Sequence, residues 1–438
     1  MALNEAIVAQ VNNKPADVVE AAGQTTNTQA RVSNWDRKIL GVPAWIVAIG
    51  LFFLGWIFMY ADRTILNPIM GELEREFGLT KTQLGLLNSV FFTTYALSQI
   101  PAGMLGDAYG RKLVLVPGFI FFGLATAATG LAGSFFMLFL ARAAVGIGEG
   151  SYYGPQFAIS NEAIPVKYRS FGTALINSGM AFGMAIGLMG ASYLVYTHNF
   201  SWHIPFFVFA VPTILVAIAI MFIVKEDYKP TRGSKSRKDV WTDAIKILKN
   251  RNLVLAFFME FCSLYGFFVL LTWLPYYLQT ERGIPGSEIG FISSLIAWMS
   301  IPGALLFSVL SDRWGRRAPF AYFMVPIAAV AMVAVVYTTS MTGLVIALVI
   351  YGLFGKLAID PVLLSFVADN TPKENYSTVF GCYNFVGMSS SIIASTLTGL
   401  IADHTGSLVP NFYIAAGLLM LGLIAMLFVK ETAHQKVS

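Results

Sequence analysis

Twelve apolar stretches, each near the ~20 residues a bilayer demands of a spanning helix, constrain this chain more than any other feature. They lie near 44–68, 83–106, 112–132, 134–158, 169–196 and 202–224, then near 253–279, 288–310, 318–338, 340–364, 377–402 and 407–429. A lipid interior satisfies no backbone polar group, so only helices or closed barrels cross it. Continuous apolar runs without alternation specify helices. The expected fold is all-α, a membrane protein of twelve transmembrane helices in two bundles of six. Its parts are a polar N-terminal tail (1–42), a first bundle (43–224), a central loop (225–252), a second bundle (253–430) and a C-terminal tail (431–438). The first 42 residues lack the apolar run of a cleaved signal peptide and read as a disordered cytoplasmic tail.

Composition agrees. Hydrophobic residues make up 56% and charged residues only 12%, where a soluble domain carries about 25% charged. A soluble enzyme, a disordered chain and a nucleic-acid binder are excluded. The net charge of +5 is explained by topology. Of 29 Lys and Arg, 23 fall in the tails and alternate loops on one side, three on the other (Arg75, Lys81, Arg282) and three inside spans. The positive-inside rule then puts both termini and the central loop in the cytoplasm, with a bacterial inner membrane as the expected location. Cys262 and Cys382 lie in apolar runs, which argues against a disulfide framework. The four histidines show no metal-ligand spacing, and no metal or cofactor is expected.

The two bundles are related by an internal repeat. Gly-Met-Leu-Gly-Asp-Ala-Tyr-Gly-Arg-Lys (Gly103 to Lys112) corresponds to Ser-Val-Leu-Ser-Asp-Arg-Trp-Gly-Arg-Arg (Ser308 to Arg317), with Asp107 and Asp312 205 residues apart. Val-Lys-Glu at 224–226 recurs at 429–431, at the same offset. Two equal offsets at different points of a six-helix unit indicate duplication. Transporters are commonly built from such repeats, with their sites at the midplane where the halves meet.

The Gly103–Lys112 loop resembles the signature of the major facilitator superfamily, and the resemblance covers nearly all the chain after residue 42. A narrower resemblance is carried by Tyr60–Arg63, Gln83–Ala96, Arg142–Gly150 and Tyr383–Gly387. These are similar to the anion:cation symporter family, which moves sugar acids and other organic anions with protons. The Arg142–Gly150 run is also similar to spinster-type lipid transporters. The resemblance implies a major facilitator fold and a site that includes Tyr60, Tyr95 and Asn384. It also implies a proton site at Asp62 and a binding or gating charge at Arg63. The chain departs from the sugar-acid branch at Lys356 and Asp360.

Seven ionisable residues fall inside spans: Asp62, Arg63, Arg142, Glu149, Glu260, Lys356 and Asp360. Intramembrane charges are costly and commonly mark substrate or ion paths, the bland alternative being a salt bridge that fixes packing. Arg142 and Glu149, two helical turns apart, share one face. An arginine fork suits a carboxylate, and a buried acid suits a proton, so Arg142 is expected to bind substrate and Glu149 to couple protons. Glu260 reads as an interfacial acid or a gate. Lys356 and Asp360, at i and i+4, form a self-neutralising pair or else present a lysine to the substrate. Gln99 and Ser98 extend a polar stripe from Tyr95, and Asn177 is a further candidate. Gly179, Gly183, Gly187 and Gly190 read as a close-packing stripe that serves a rocking half. Asp107, Arg111, Asp312 and Arg316 in the signature loops are expected to gate, with the arginines pairing with acids on adjacent helices or anchoring the loops to anionic lipid.

The reading is a secondary transporter, not an enzyme, acting as a monomer on a small organic anion and protons. Alternatives are a spinster-like lipid or multidrug exporter, an organic-anion exchanger, or a transporter-like sensor.

Overall fold

The computed structural model describes residues 35, 37–39, 41–226, 250–372 and 376–430. Expectations for residues 1–34, for most of the central loop and for the C-terminal tail lie outside the described residues; the end of the expected disordered N-terminal tail is instead ordered as a short ribbon. A two-stranded antiparallel ribbon, β1 (Lys38–Ile39) and β2 (Val42–Pro43), leads into the first helix. The first half then comprises α1 (Ala44–Ile65), α2 (Met70–Phe77), α3 (Lys81–Tyr109), α4 (Arg111–Thr129), α5 (Phe135–Gly150), α6 (Tyr153–Ala163), α7 (Arg169–Ser192) and α8 (Ile204–Ile223). The second comprises α9 (Arg251–Thr280), α10 (Gly286–Trp314), α11 (Ala318–Tyr337), α12 (Met341–Phe354), α13 (Lys356–Asp369), α14 (Tyr376–Thr405) and α15 (Val409–Leu427).

Ten helical segments are long and apolar enough to cross a membrane among the described residues, and the chain is a multi-pass membrane protein. The expected spans near 83–106 and 134–158 are not among the ten. For the first the reason is composition: α3 has 29 residues, about 43 Å at 1.5 Å each, but Asn88, Ser89, Thr93, Thr94, Ser98 and Gln99 dilute its hydropathy. For the second it is a break: α5 and α6 are short helices of 16 and 11 residues, parted at Ser151–Tyr152.

Local chemistry sets the helix limits. Thr80 and Gln83 form a reciprocal capping box that starts α3, with Gln83 N donating to Thr80 Oγ1 at 3.2 Å and Thr80 N to Gln83 Oε1 at 2.9 Å. Ser134 caps α5 and Ser340 caps α12. The signature loops each turn on a glycine with positive φ, Gly110 (116°) and Gly315 (65°), 205 residues apart. A side chain would be strained at either.

The repeat is visible in the packing. In the first half α1 packs on α7, α3 and α4 on α5, and α4 on α8. In the second, α9 packs on α14, α10 and α11 on α12, and α11 on α15, the same scheme. The halves meet through α3 with α14 and α7 with α10, a twofold arrangement. The glycine stripe of α7 makes the expected close packing, and makes it within one half, against α1. A Cβ at Gly179, Gly183 or Gly187 would lie 2.7, 2.4 or 2.4 Å from the backbone oxygens of Phe53, Ile57 or Ala61 on α1. That stripe locks the α1 backbone just before Asp62.

Among the described residues, the hydrogen bonds between halves lie in the end of the bundle away from the chain termini, here the distal end. Lys81 N and Thr82 N donate to the Asp403 carboxylate at 2.9 and 2.8 Å. Asn67 Nδ2 reaches Leu271 O at 2.9 Å, Tyr276 OH reaches Glu74 Oε2 at 2.5 Å, and Ser89 Oγ reaches Ile392 O at 2.6 Å. At the terminal end the bonds stay within a half: Lys112 Nζ to Val224 O at 2.6 Å, and Asn252 Nδ2 to Asn370 Oδ1 at 2.7 Å. Helices α6 and α13 make their main contacts on their own halves. The halves are sealed distally and parted at the terminal end.

The seal depends on Gly85, whose added Cβ would lie 2.3 Å from Ser395 O, a backbone atom that cannot swing aside. Gly85→Ala is expected to disfavour the sealed state by about 1–3 kcal/mol, as overpacking does. Spin-label distances across the distal end should show a larger open population in this variant; an unchanged distribution would show that the seal does not depend on this contact.

Candidate functional site

Two helices break in mid-membrane, and the breaks correspond in the repeat. Gly150 ends α5, and Gly355, 205 residues later, separates α12 from α13 in extended conformation (φ −79°, ψ −163°). Interrupted helices at matching positions of two halves are where transporters place their binding groups. The intramembrane charges gather there: Glu149 precedes the first break, and Lys356 follows the second.

In the first half four charges form two crossed pairs. Arg63 on α1 forms an ion pair with Glu149 on α5, with Nε donating to Glu149 Oε1. Arg142 on α5 binds Asp62 on α1, Nη1 to Oδ2 at 3.3 Å. Arg142 and Glu149 share a helix face, but each takes its partner from α1. Asp62 and Arg63 do not sit at an interface, being 1% and 5% exposed. Aromatic faces cover the cations: the Arg63 guanidinium carbon lies 4.4 Å from the Tyr60 ring centre and 4.6 Å from that of Tyr95, and Arg142 lies 4.7 Å from Phe91. The pairs are unequally satisfied. Arg63 Nη2, Arg142 Nε and Nη2, Asp62 Oδ1 and Glu149 Oε2 are buried without a hydrogen-bond partner among the described residues, so Arg63 leaves one such donor and Arg142 two. Arg142 therefore keeps a two-donor edge, the geometry that grips a carboxylate.

In the second half Lys356 Nζ lies 3.0 Å from Glu260 Oε2 and also binds Asp360. The self-neutralising pair is thus part of a larger cluster, and Glu260 is one of its members. Tyr383 OH is 2.5 Å from Glu260 Oε2 and 3.2 Å from Asp360 Oδ1. Tyr60 and Tyr153 of the first half lie within electrostatic reach of Asp360.

Tyr60, Asp62, Arg63, Tyr95, Arg142 and Glu149 are brought together; Lys356 stands in the opposite cluster. Gln99 Nε2 and Asn177 Oδ1 are buried without partners among the described residues. Asn384 follows Tyr383 and makes no described side-chain hydrogen bond. The signature loops lie apart from both clusters. Arg111 joins Asp107 (3.7 Å) to Glu162 on α6 (3.3 Å). In the second loop Arg317, not Arg316, takes this place, joining Asp312 (2.6 Å) to Asp369 (3.3 Å). Arg316 supplies its backbone carbonyl to Ser311 Oγ at 3.2 Å. Both networks remain within one half. Sequence reasoning missed Tyr383 as a cluster member, Tyr153, and the buried bond from Trp56 Nε1 to Gln156 Oε1 at 3.0 Å. Tyr153 lies four residues after Glu149 and Trp56 four before Tyr60, so the one-turn spacing was a signal that could have marked them.

Two pseudo-symmetric helical halves, paired charges at matching helix breaks and a seal at one end define a membrane transporter rather than an enzyme. The chain belongs to the Major Facilitator Superfamily, whose model matches residues 52–285 and again 256–438. It is 28% identical over 399 residues to a probable galactarate/D-glucarate transporter, GudP, of Bacillus subtilis (strain 168), covering 83% of this chain and 86% of that one. It is 26% identical over 416 residues to the cis,cis-muconate transport protein of Acinetobacter baylyi, covering 92% and 98%. A solved bacterial homolog of the human lysosomal transporter Spinster shares the fold, with TM-score 0.70 at 17% identity over 88% of this chain and 95% of that one. The chain is a transporter of this superfamily.

Breaking one member of a buried pair leaves an uncompensated charge, at about 3–5 kcal/mol. Glu149→Leu is expected to lower the thermal unfolding temperature of the purified protein, and Arg63→Leu/Glu149→Leu to recover much of that loss. Additive losses in the double variant would show that the pair is not energetically coupled.

Proposed function

We propose that the protein is a secondary active transporter that takes up a small organic anion, a sugar acid or another carboxylate, together with protons, by alternating access. The single observation that carries this reading is the crossed pair of buried arginines, each held by an acid. An anion can replace an acid on its arginine only if that acid gives up its charge, because an extra negative charge in a dry site is too costly. Protonation of Glu149 releases Arg63, and protonation of Asp62 releases Arg142. The substrate carboxylate then lies on the Nε/Nη2 edge of Arg142, with Tyr60, Tyr95, Gln99, Asn177 and Asn384 offering walls and hydroxyl-reading groups. Proton and anion enter together because each is the condition for the other. The names of the relatives, among them a hexuronate transporter of Bacillus subtilis, support the substrate class.

The side richer in Lys and Arg faces the cytoplasm in this reading, so the state described is open inward. Protons load at the more acidic outer side and leave inward. The signature-loop clusters act on the rocking step: Asp107, Arg111, Asp312 and Arg317 steady the cytoplasmic ends, by exchanging partners within a half for partners across it.

Two variants test the reading. Glu149→Gln in liposomes is expected to lose uptake driven by a pH gradient and to keep counterflow of substrate for substrate; full uphill uptake would remove Glu149 from proton coupling. Arg142→Ala should weaken binding of the transported acid by about 100-fold or more, the loss of a charge-assisted bidentate contact, with Arg142→Lys recovering little because the fork is gone. Titration calorimetry on purified protein measures both. Unchanged affinity in the alanine variant would take Arg142 out of the site.

A further inference from the structure

The two charge clusters differ in their balance. In the first half two guanidiniums face two carboxylates, so the set is neutral with all four groups ionised. In the second, one ammonium faces two carboxylates. Fully ionised, that cluster holds one uncompensated negative charge, with Lys356 and Glu260 only 2% and 5% exposed. The positive end of α13, which begins at Lys356, offsets about half a charge. No further cation is paired with either acid among the described residues.

The geometry specifies where the missing charge resides. Glu260 Oε2 and Asp360 Oδ1 both contact the same ammonium and the same phenol. A phenol has one hydrogen to give, and one acid oxygen lies 2.5 Å and the other 3.2 Å from it. Two carboxylates gathered on one ammonium and one phenol repel each other, which favours protonation of one of them. Their surroundings are Lys356 on α13, Tyr383 on α14 and, from the facing half, Tyr60 on α1 and Tyr153 on α6.

We propose that Glu260 and Asp360 form a second proton-carrying site, in the second half, which holds one proton against Lys356 and exchanges it once per transport cycle. This rests on the proton-coupled reading above and extends it to residues outside the arginine site. The Asp360 side chain, 32% exposed, is the exchange point: it faces the space between the halves, which opens to either side in turn. Loading forms an O–H bond on the acid pair with no other bond changed, and unloading returns the proton to water while Lys356 keeps both carboxylates. Tyr383 holds Glu260 in place and acts as a positioning residue.

Proteoliposomes with the membrane potential clamped at zero and a gradient of about one pH unit test the proposal. Each coupled proton then multiplies the limiting accumulation of substrate about tenfold. Asp360→Asn and Glu260→Gln, each mimicking the protonated acid, are expected to lower that limit about tenfold and to leave counterflow measurable. Wild-type accumulation in both variants would overturn the proposal, as would loss of counterflow in both, which would make the pair a packing element. Absence of any pH-driven accumulation in the unmodified protein would instead overturn the proton-coupled reading itself, and this proposal with it.

Discussion

Placing charge in a membrane without leaving it unpaired is the constraint on which the rest of this structure depends. Seven ionisable side chains stand within its expected spans; six of them meet an opposite charge on a neighbouring helix, and Asp360 shares Lys356 of its own helix with Glu260. Such pairs contribute little net stability, since the cost of desolvating two ions roughly offsets their attraction. What they supply is specificity: α1 must meet α5, and α13 must meet α9, at one rotation and one depth. The glycine stripe of α7 serves the same end by fixing α1 through backbone contacts beside Asp62 and Arg63.

The helix breaks give these charges their freedom to act. A continuous helix through Gly150 or Gly355 would hold Glu149 and Lys356 on rigid cylinders. Breaks at matching points of the two halves place them at helix ends, beside backbone groups whose hydrogen bonds are not all made within the helix. The sealed distal end and the parted terminal end then follow from where the halves touch. The contacts of α3 with α14 and of α7 with α10 carry the seal, and α6 and α13, beyond the breaks, pack on their own halves.

Much of this was legible in the sequence, and the parts that were not share a cause. Apolar runs and the 205-residue repeat predicted the helices and the two halves, because burial in lipid leaves a one-dimensional record. The charges that matter were also evident, since few residues of that kind survive in a span. Partner choice was not. Arg142 and Glu149 lie on one face, and nothing local says that each turns to α1 instead of to the other. Glu260 is separated by 96 residues from Lys356 and by 123 from Tyr383, so their meeting is a fact of helix packing alone. The same holds for Arg317, which makes the ion pairs expected of Arg316: the two lie in the loop between α10 and α11, and the turn at Gly315, with its positive φ, decides which reaches Asp312.

The central claim is that an anion occupies an arginine only when the acid holding that arginine accepts a proton. The most direct measurement is the number of protons taken up as the transported acid binds to purified protein, from calorimetric titration in buffers of differing ionisation enthalpy. The account predicts net uptake of protons with each bound anion and a marked reduction of that uptake in Asp62→Asn, which removes the acid that holds Arg142. Binding of the anion at unchanged affinity with no net proton uptake across neutral pH would contradict it.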